Sequence, residues 1–227
     1  ITWVLTSYIT ASAILTAPVG FLAARYGRKR LFLVSVGGFT LASVLCGAAQ
    51  SLEQMVLFRM VQGAFGAALV PLSQSTMMDL YPPQQRGQAM AIWGMGVMLG
   101  PILGPTLGGW LTDAWNWRWV FYVNVPVGAL AVAGLLVFMP ADEDTEARGF
   151  DWLGFATLSL GIGALQILLD RGELLGWFGS TEILIEAGLC ALGLYLFVVH
   201  LFTAERPFIP PRIFRDRNFV SALGIMF

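Results

Sequence analysis

The chain of 227 residues is 57% hydrophobic and only 12% charged, and its mean hydropathy is +0.72. An ordinary soluble domain is excluded, because soluble folds interrupt apolar residues with polar faces, whereas this chain carries them in long unbroken runs. The formal net charge of -1 excludes a basic nucleic-acid-binding surface, so no nucleic acid is expected as a partner.

Seven apolar stretches are long enough to cross a bilayer as helices. A hydrocarbon core needs about 20 apolar residues in helical form, and every backbone amide in lipid must be bonded within the protein. The predicted spans are 3–24, 31–49, 55–78, 89–111, 120–139, 152–169 and 183–202, and an eighth opens near Phe219. The sequence therefore predicts an all-α membrane protein, a polytopic transmembrane helix bundle. Because the chain starts at Ile1 inside an apolar stretch and stops inside another, we expect both ends to be cut.

The basic residues lie on alternate connections between these spans. Two of the 13, Arg118 and Arg171, are on one set of connections, and Arg59 is inside a span. The other ten are Arg25, Arg28, Lys29, Arg30, Arg86, Arg148, Arg206, Arg212, Arg215 and Arg217. Since cytoplasmic loops carry the excess of Lys and Arg, this asymmetry predicts a multi-pass protein of the cell (inner) membrane with cytoplasmic basic loops.

The third span contains a cation, Arg59. A cation costs about 2.5–3.5 kcal/mol at the centre of a membrane and less near its edge. Arg59 lies roughly 6 Å inside the span at 1.5 Å per residue, so one interpretation is a side chain that reaches the outer headgroups. The other is a polar strip facing a cavity. The residues that share its helix face are Gln62, Gly66, Val70, Ser73 and Met77. A face that lines a cavity makes Gln62 and Ser73 candidate substrate contacts. The alternative is that the same face serves the close packing of two helices.

The fourth span has a repeat of glycines with prolines between them. The residues are Gly96, Gly100, Pro101, Gly104, Pro105, Gly108 and Gly109. Glycines four apart make a smooth groove for a neighbouring helix, while each proline removes an amide donor and bends its helix. Tight structural packing is part of any interpretation, and two prolines at this spacing favour a conformational role as well.

A short basic turn follows the first span. Its candidate residues are Gly20, Arg25, Gly27, Arg28, Lys29 and Arg30. Paired glycines suit a tight turn pressed against another helix. Asp79 ends the third span on the same side of the membrane, where an anion opposes the negative end of a helix dipole. We therefore expect Asp79 to pair with Arg25, Arg28, Arg30 or Arg86, the alternative being a solvated interfacial acid.

The sequence has no pattern typical of enzyme chemistry. It shows no catalytic triad, phosphate loop or metal-ligand cluster, and a single histidine makes a zinc site improbable. Cys46 and Cys190 lie inside apolar runs as small buried hydrophobes. We expect no catalytic residue, no metal and no cofactor.

These motifs together resemble the major facilitator superfamily, in its fourteen-helix drug:proton antiporter branch (EmrB/QacA type). The resemblance covers essentially the whole chain. Residues 20–30 resemble the first cytoplasmic signature, Arg59 with Gln62 and Gly63 the fourth-helix signature, and residues 96–109 the antiporter signature of the fifth helix. Segments 117–121, 124–128 and 169–172 are similar to stretches typical of the fourteen-helix branch.

The resemblance implies a domain organisation. Residues 1–140 would be the N-terminal transporter half without its first helix, which usually carries a membrane acid. Residues 141–151 would be a cytoplasmic loop, 152–202 an inserted transmembrane hairpin, and 203–227 a cytoplasmic linker with the start of the C-terminal half. One departure is Ala24, where the family signature often has an acid. We hypothesise that Asp79 supplies the anion instead.

The implied function is proton-driven export of amphipathic drugs or toxic compounds by alternating access. The resemblance implies that Arg59 assists proton coupling. The partners would be small-molecule substrates, protons and the lipid bilayer, with a periplasmic adaptor protein where the cell has two membranes. Alternatives are a facilitator or symporter for one defined solute and a non-transporting membrane scaffold. A membrane enzyme is the least favoured, since titratable residues are not clustered.

Overall fold

The computed structural model describes residues 2–142, 149–204, 207, 209 and 211–226, with the backbone alone at 212, 214, 223, 225 and 226. Among these residues the regular structure is helical and no strand is present. The all-α class expected from the sequence is confirmed. By its internal contacts the chain divides into two compact units, Ile1–Glu146 and Ala147–Phe227.

The described residues of the first unit form eight helices, some of which join into one span. They are α1 (Thr2–Thr16), α2 (Val19–Tyr26), α3 (Arg28–Ala48), α4 (Leu52–Gly66), α5 (Leu69–Leu80), α6 (Arg86–Ala114), α7 (Trp119–Tyr122) and α8 (Asn124–Phe138). A bend of 58° separates α1 from α2, and Pro18 stands at this break as the residue that precedes α2. In contrast, α6 continues through Pro101 and Pro105.

The first unit is organised around α3 and α4. Helix α4 packs against both α1 and α3, while α3 also packs against α7 and α8. Two small buried clusters join these helices, Cys46 with Ala49 and Met55, and Val19 with Ala68 and Leu72. Helix α6 touches only the neighbouring α5 and α7 to any extent within the described residues.

The second unit is a helical hairpin followed by a shorter helix. It contains α9 (Trp152–Arg171), α10 (Thr181–Thr203) and α11 (Arg217–Met226), with 3-10 turns at Trp177–Gly179 and Pro211–Arg215. Helices α9 and α10 approach closely at two glycines, because a Cβ on Gly193 would lie 2.5 Å from the backbone nitrogen of Gly161. Small residues are what allow two membrane helices such an approach.

Six helical spans of the described residues are long and apolar enough to cross a membrane, and the bent pair α1–α2 adds a seventh. The seven predicted spans are therefore confirmed. Where the eighth is predicted, the described residues form α11, a helix of 10 residues that is not among these spans, so the eighth span stays a prediction. Residues 143–148 of the predicted loop 141–151 lie outside the described residues, as do Arg148, Arg206 and the side chain of Arg212. The assignment of 152–202 as an insertion between two transporter halves stays a prediction.

Candidate functional site

Arg59 points into the helical bundle of the first unit. Ser51 caps the start of α4, because its side chain accepts from the Gln54 amide, and Arg59 follows about two turns later. Its Nε donates to the carbonyl of Val4 at 3.3 Å, and its Nη1 donates to Gln62 Oε1 at 2.9 Å. The structure thus places this guanidinium, partly buried, between α1 and α4.

Two aromatic rings complete the surroundings of Arg59. Its Cζ lies 4.3 Å from the centroid of the Tyr8 ring and 5.9 Å from that of Phe121. Cation–π contacts of this kind are worth more when the cation is shielded from water. Rings, a carbonyl and an amide oxygen therefore hold the cation, and every one of these described partners is uncharged.

Gln62 is the most enclosed polar residue of this cluster. Its side chain is 1% exposed, and its Oε1, besides accepting from Arg59, lies 3.8 Å from the Cys46 sulfur. The next residue, Gly63, lets α1 approach α4, because a Cβ there would overlap the carbonyl oxygen of Tyr8. The pair Gln62–Gly63 therefore packs α4 against both α1 and α3.

Ser73 has different neighbours from Arg59 and Gln62. It lies on α5, where its hydroxyl donates to the Val70 carbonyl at 2.8 Å and accepts from the Trp93 indole of α6 at 3.0 Å. Ser73 lines a cavity of about 340 Å³ between α3, α5 and α8, together with Thr40 and Asn124. The polar face expected from Arg59 to Ser73 is divided between a buried cluster and this cavity.

A second polar group joins α3 to α7 and α8, and the sequence interpretation missed it. Ser43 donates to the carbonyl of Phe121 and accepts from Asn124, both at 2.9 Å. Arg118 Nη1 donates to the carbonyls of Gly47 and Ala49 at 2.6 and 2.8 Å. Polar residues within apolar spans, such as Ser43 and Asn124, were the available signal for this group.

The glycine face of α6 is open within the described residues. A Cβ on Gly96, Gly100, Gly104 or Gly109 would meet no atom within 4 Å, and one on Gly108 would meet only Val120, at 4.0 Å. Within the described part of the chain, almost nothing packs against this groove. The conformational role predicted for Pro101 and Pro105 stays a prediction.

The basic turn brings together residues from three regions of the first unit. Gly27 has a φ of +89°, which favours glycine. The Arg28 guanidinium forms an ion pair with Asp79, at the end of α5. Among the four candidate partners of Asp79, the structure thus selects Arg28. Gly20 has no neighbour within 4 Å of where its Cβ would be, and Arg25 lies 5.7 Å from the ring of Tyr26.

A carboxylate that the sequence interpretation passed over also reaches this turn. Asp142 Oδ1 accepts from the Lys29 amide at 2.7 Å, and Asp142 Oδ2 accepts from the Arg30 amide at 3.1 Å. Asp142 was read only as part of an acidic loop. No sequence signal links it to the basic turn, because the contact spans more than 110 residues.

Side-chain pairs hold both ends of the hairpin in the second unit. Asp151 caps the start of α9 by accepting from the Gly154 amide at 2.8 Å, and His200 Nε2 lies 2.8 and 2.9 Å from its two oxygens. At the other end, Arg171 pairs with Glu182. His200, to which the sequence assigned no function, thus ties α10 to the start of α9.

These observations define a multi-pass helical membrane protein with a buried arginine cluster and a basic turn at one end of its first unit. The chain belongs to the Major Facilitator Superfamily, whose family model matches residues 1–208. The predicted family and fold are therefore confirmed.

Similar proteins include multidrug exporters. The chain is 42% identical to multidrug export protein EmrB of Escherichia coli K12, over 96% of this chain and 43% of that protein. It is 41% identical to fatty acid resistance protein FarB of Neisseria gonorrhoeae, over 99% of this chain and 46% of that protein. Multidrug resistance protein 3 of Bacillus subtilis is 35% identical, with coverages of 99% and 44%. The chain thus spans less than half the length of these relatives.

Proposed function

We propose that this chain is part of a transporter that exports amphipathic drugs or other toxic compounds in exchange for protons, by alternating access. The observation that carries the proposal is the Arg59 cluster. A guanidinium lies inside a membrane-spanning helix, and its described partners are a carbonyl, an amide and two rings. The family of transporters to which the chain belongs supports the same conclusion.

The charge of Arg59 suits proton coupling. Uncharged partners solvate a guanidinium but leave its full positive charge acting on any nearby carboxyl group. If the membrane acid that the resemblance implies for the family's first helix faces Arg59, it would pair with Arg59 while ionised and would release it on protonation. Such a protonation step changes the charge of the site by one unit and can bias the two access states.

The driving force is large enough for export. A membrane potential of 100 mV contributes about 2.3 kcal/mol for each elementary charge moved across the membrane. For an uncharged drug, one proton per cycle therefore supports an outward gradient of about 50-fold, since 1.4 kcal/mol corresponds to a factor of ten. The glycine and proline array of α6 would serve the accompanying conformational change.

The relatives support the proposed substrate class. Two are named for multidrug export or resistance and one for fatty acid resistance, so the proposed substrates are amphipathic molecules with a large apolar part. The basic turn would face the cytoplasm, with the chain in the inner membrane. An adaptor protein would join it where the cell has two membranes.

Dye efflux from cells expressing the complete gene tests this function. Expression should lower the accumulation of an amphipathic cationic dye, and a protonophore should abolish the effect. Arg59→Ala should remove the efflux, while Arg215→Ala, which changes an exposed arginine outside the cluster, should leave it intact. Efflux that resists the protonophore would favour a uniporter, and unchanged dye accumulation would favour the scaffold.

A further inference from the structure

The segment that follows α8 folds back onto the start of α3. The first amides of an α-helix have no acceptor within the helix, and the residue that precedes α3 is Gly27, which has no side chain to accept them. Asp142 accepts from two of these amides, those of Lys29 and Arg30, at 2.7 and 3.1 Å. A carboxylate from far along the chain therefore caps α3.

The contact is reciprocal. The Lys29 ammonium donates to the carbonyl oxygens of Leu136 and Met139, at 3.2 and 2.5 Å. Leu136 lies in the last turn of α8 and Met139 directly follows the helix, where the helix dipole favours a cation. Each helix end is thus satisfied by a group from the other, and we call the contacts of Asp142 and Lys29 the α3–α8 clasp.

Gly27 is required by the clasp as well as by its backbone angle. Its φ of +89° disfavours other residues. A Cβ on Gly27 would in addition collide with the carboxyl group of Asp142. The carboxylate therefore sits directly against the turn, with no space for a side chain between them.

The clasp lies directly beside Arg28, the residue that pairs with Asp79. Arg28 lies between Gly27 and Lys29, in the turn whose following amides Asp142 holds. The side chains of Arg28 and Asp79 are 48% and 55% exposed, and so exposed an ion pair is worth little by itself, since ordering two mobile side chains opposes it. A fixed backbone under Arg28 removes part of this opposing entropy.

Arg28, Asp79 and Asp142 line one cavity. It has a volume of about 390 Å³ and lies between α2, the end of α5 and the residues after α8. Arg28, Asp79, Asp142 and Thr76 are among its lining residues. The two carboxylates therefore act on the two sides of a single turn, one through its backbone amides and one through its guanidinium.

We propose that Asp142 is the positioning residue of the Arg28–Asp79 ion pair. Its carboxylate fixes the first turn of α3 against the end of α8, and this turn presents Arg28 to Asp79. Loss of Asp142 frees the turn, and the ion pair then opens without any change in its own two residues.

Thiol labelling of the complete protein tests the proposal. Thr76→Cys, in a background with the native cysteines replaced, places a partly buried thiol on the cavity wall. The rate of its reaction with a water-soluble maleimide is measured in four proteins: the reporter alone, and the reporter with Asp142→Ala, with Asp79→Ala, and with both. The labelling rate does not require transport, so this test can fail independently of the proposed export function.

The expected result is non-additive. Asp142→Ala should raise the labelling rate about tenfold, the scale of a lost charge-assisted hydrogen bond, and should have little further effect once Asp79 is Ala, because residues that act through one contact are coupled. Asp113→Ala is the control. It removes an exposed carboxylate near the C-terminal end of α6, which does not line the cavity, and it should leave the labelling rate unchanged.

Two results would overturn the proposal. One is an unchanged labelling rate in Asp142→Ala, and the other is a pair of independent effects that multiply in the double variant. If Asp142→Ala fails to fold, Asp142→Asn keeps one acceptor and the same shape. It should raise the labelling rate by a smaller factor, and this effect should also depend on Asp79. Effects of Asp142→Asn and Asp79→Ala that multiply independently would equally contradict the proposal.

Discussion

The guanidinium of Arg59 donates to Oε1 of Gln62, less than one turn further along α4, at 2.9 Å. Gln62 is 1% exposed, so the bond is shielded from water and is the only one from Arg59 to a side-chain oxygen within the described residues. A charge-assisted hydrogen bond in such a place is worth about 1.5–3 kcal/mol. The position of the Arg59 charge therefore depends on an uncharged partner.

Gln62→Glu should uncouple export from protons. A carboxylate at this position competes with other acids for Arg59 and, while it is ionised, cancels the charge that acts on them. We expect the variant to fold. The rate of its protonophore-sensitive dye efflux should fall at least tenfold. Gln62→Leu should also lose efflux, and in addition lower the free energy of unfolding. Undiminished proton-coupled efflux in Gln62→Glu would contradict the proposed role of Arg59.

Gly63→Ala should weaken the packing of α1 on α4. The new methyl group would overlap the carbonyl oxygen of Tyr8, and overpacking of this kind costs about 1–3 kcal/mol. Thermal unfolding of the complete protein in detergent should show a lower midpoint. Gly87→Ala is the matched control, because a Cβ on Gly87 has no neighbour within 4 Å.

Gly193→Ala should separate the two helices of the hairpin in the second unit. Its Cβ would lie 2.5 Å from the nitrogen of Gly161, and a backbone atom cannot rotate away. Cross-linking between cysteines placed on α9 and α10 should slow in this variant. The control, Gly188→Ala on the same helix, has open space at its Cβ, and an equal loss of cross-linking there would contradict the explanation.

Asp79→Asn should disturb the conformational balance of the transporter by releasing Arg28. We expect dye efflux to fall several-fold in the complete protein. Ala24→Asp offers a compensating change, because Ala24 lines the same cavity as Arg28 and a carboxylate there can pair with it. Restored efflux in the double variant is the expected outcome. Unchanged efflux and unchanged labelling of the cavity in Asp79→Asn would remove the ion pair from the mechanism.

The proposed orientation can be tested at two exposed positions. Residues 30 and 173 are separated by five membrane spans, so cysteines at Arg30 and Glu173 should be labelled from opposite sides of the membrane. An impermeant thiol reagent applied to intact cells should reach only position 173. Labelling of both positions from one side would overturn the topology on which the transport cycle depends.

The membrane spans could be predicted because bilayer thickness fixes how many apolar residues a helix needs. The bends within them could not. The first span bends by 58° at Pro18, and Ala67 and Ala68 interrupt the third between α4 and α5. Gln62 and Ser73, which the sequence assigned to one helix face, lie on the two sides of this interruption and have different neighbours.

For the candidate site, the sequence predicts which type of partner a residue needs but not which residue supplies it. The charge of Asp79 at a helix end called for a cation, but four arginines met that condition, and only the folded turn selects Arg28. Asp142 gave no signal at all, because a cap supplied from another helix leaves no spacing pattern in the sequence. Arg59 was found because a cation inside an apolar run stands out without any knowledge of its neighbours.

Proton movement in proteoliposomes is the most direct test of the central claim. The complete protein is reconstituted with a pH-sensitive dye inside the vesicles, and an inward gradient of an amphipathic cationic compound is applied across the membrane. We expect protons to leave as the compound enters, so that the interior becomes alkaline, and we expect Arg59→Ala to show no such change. Uptake of the compound through the wild-type protein with no accompanying change of internal pH would contradict proton-coupled transport.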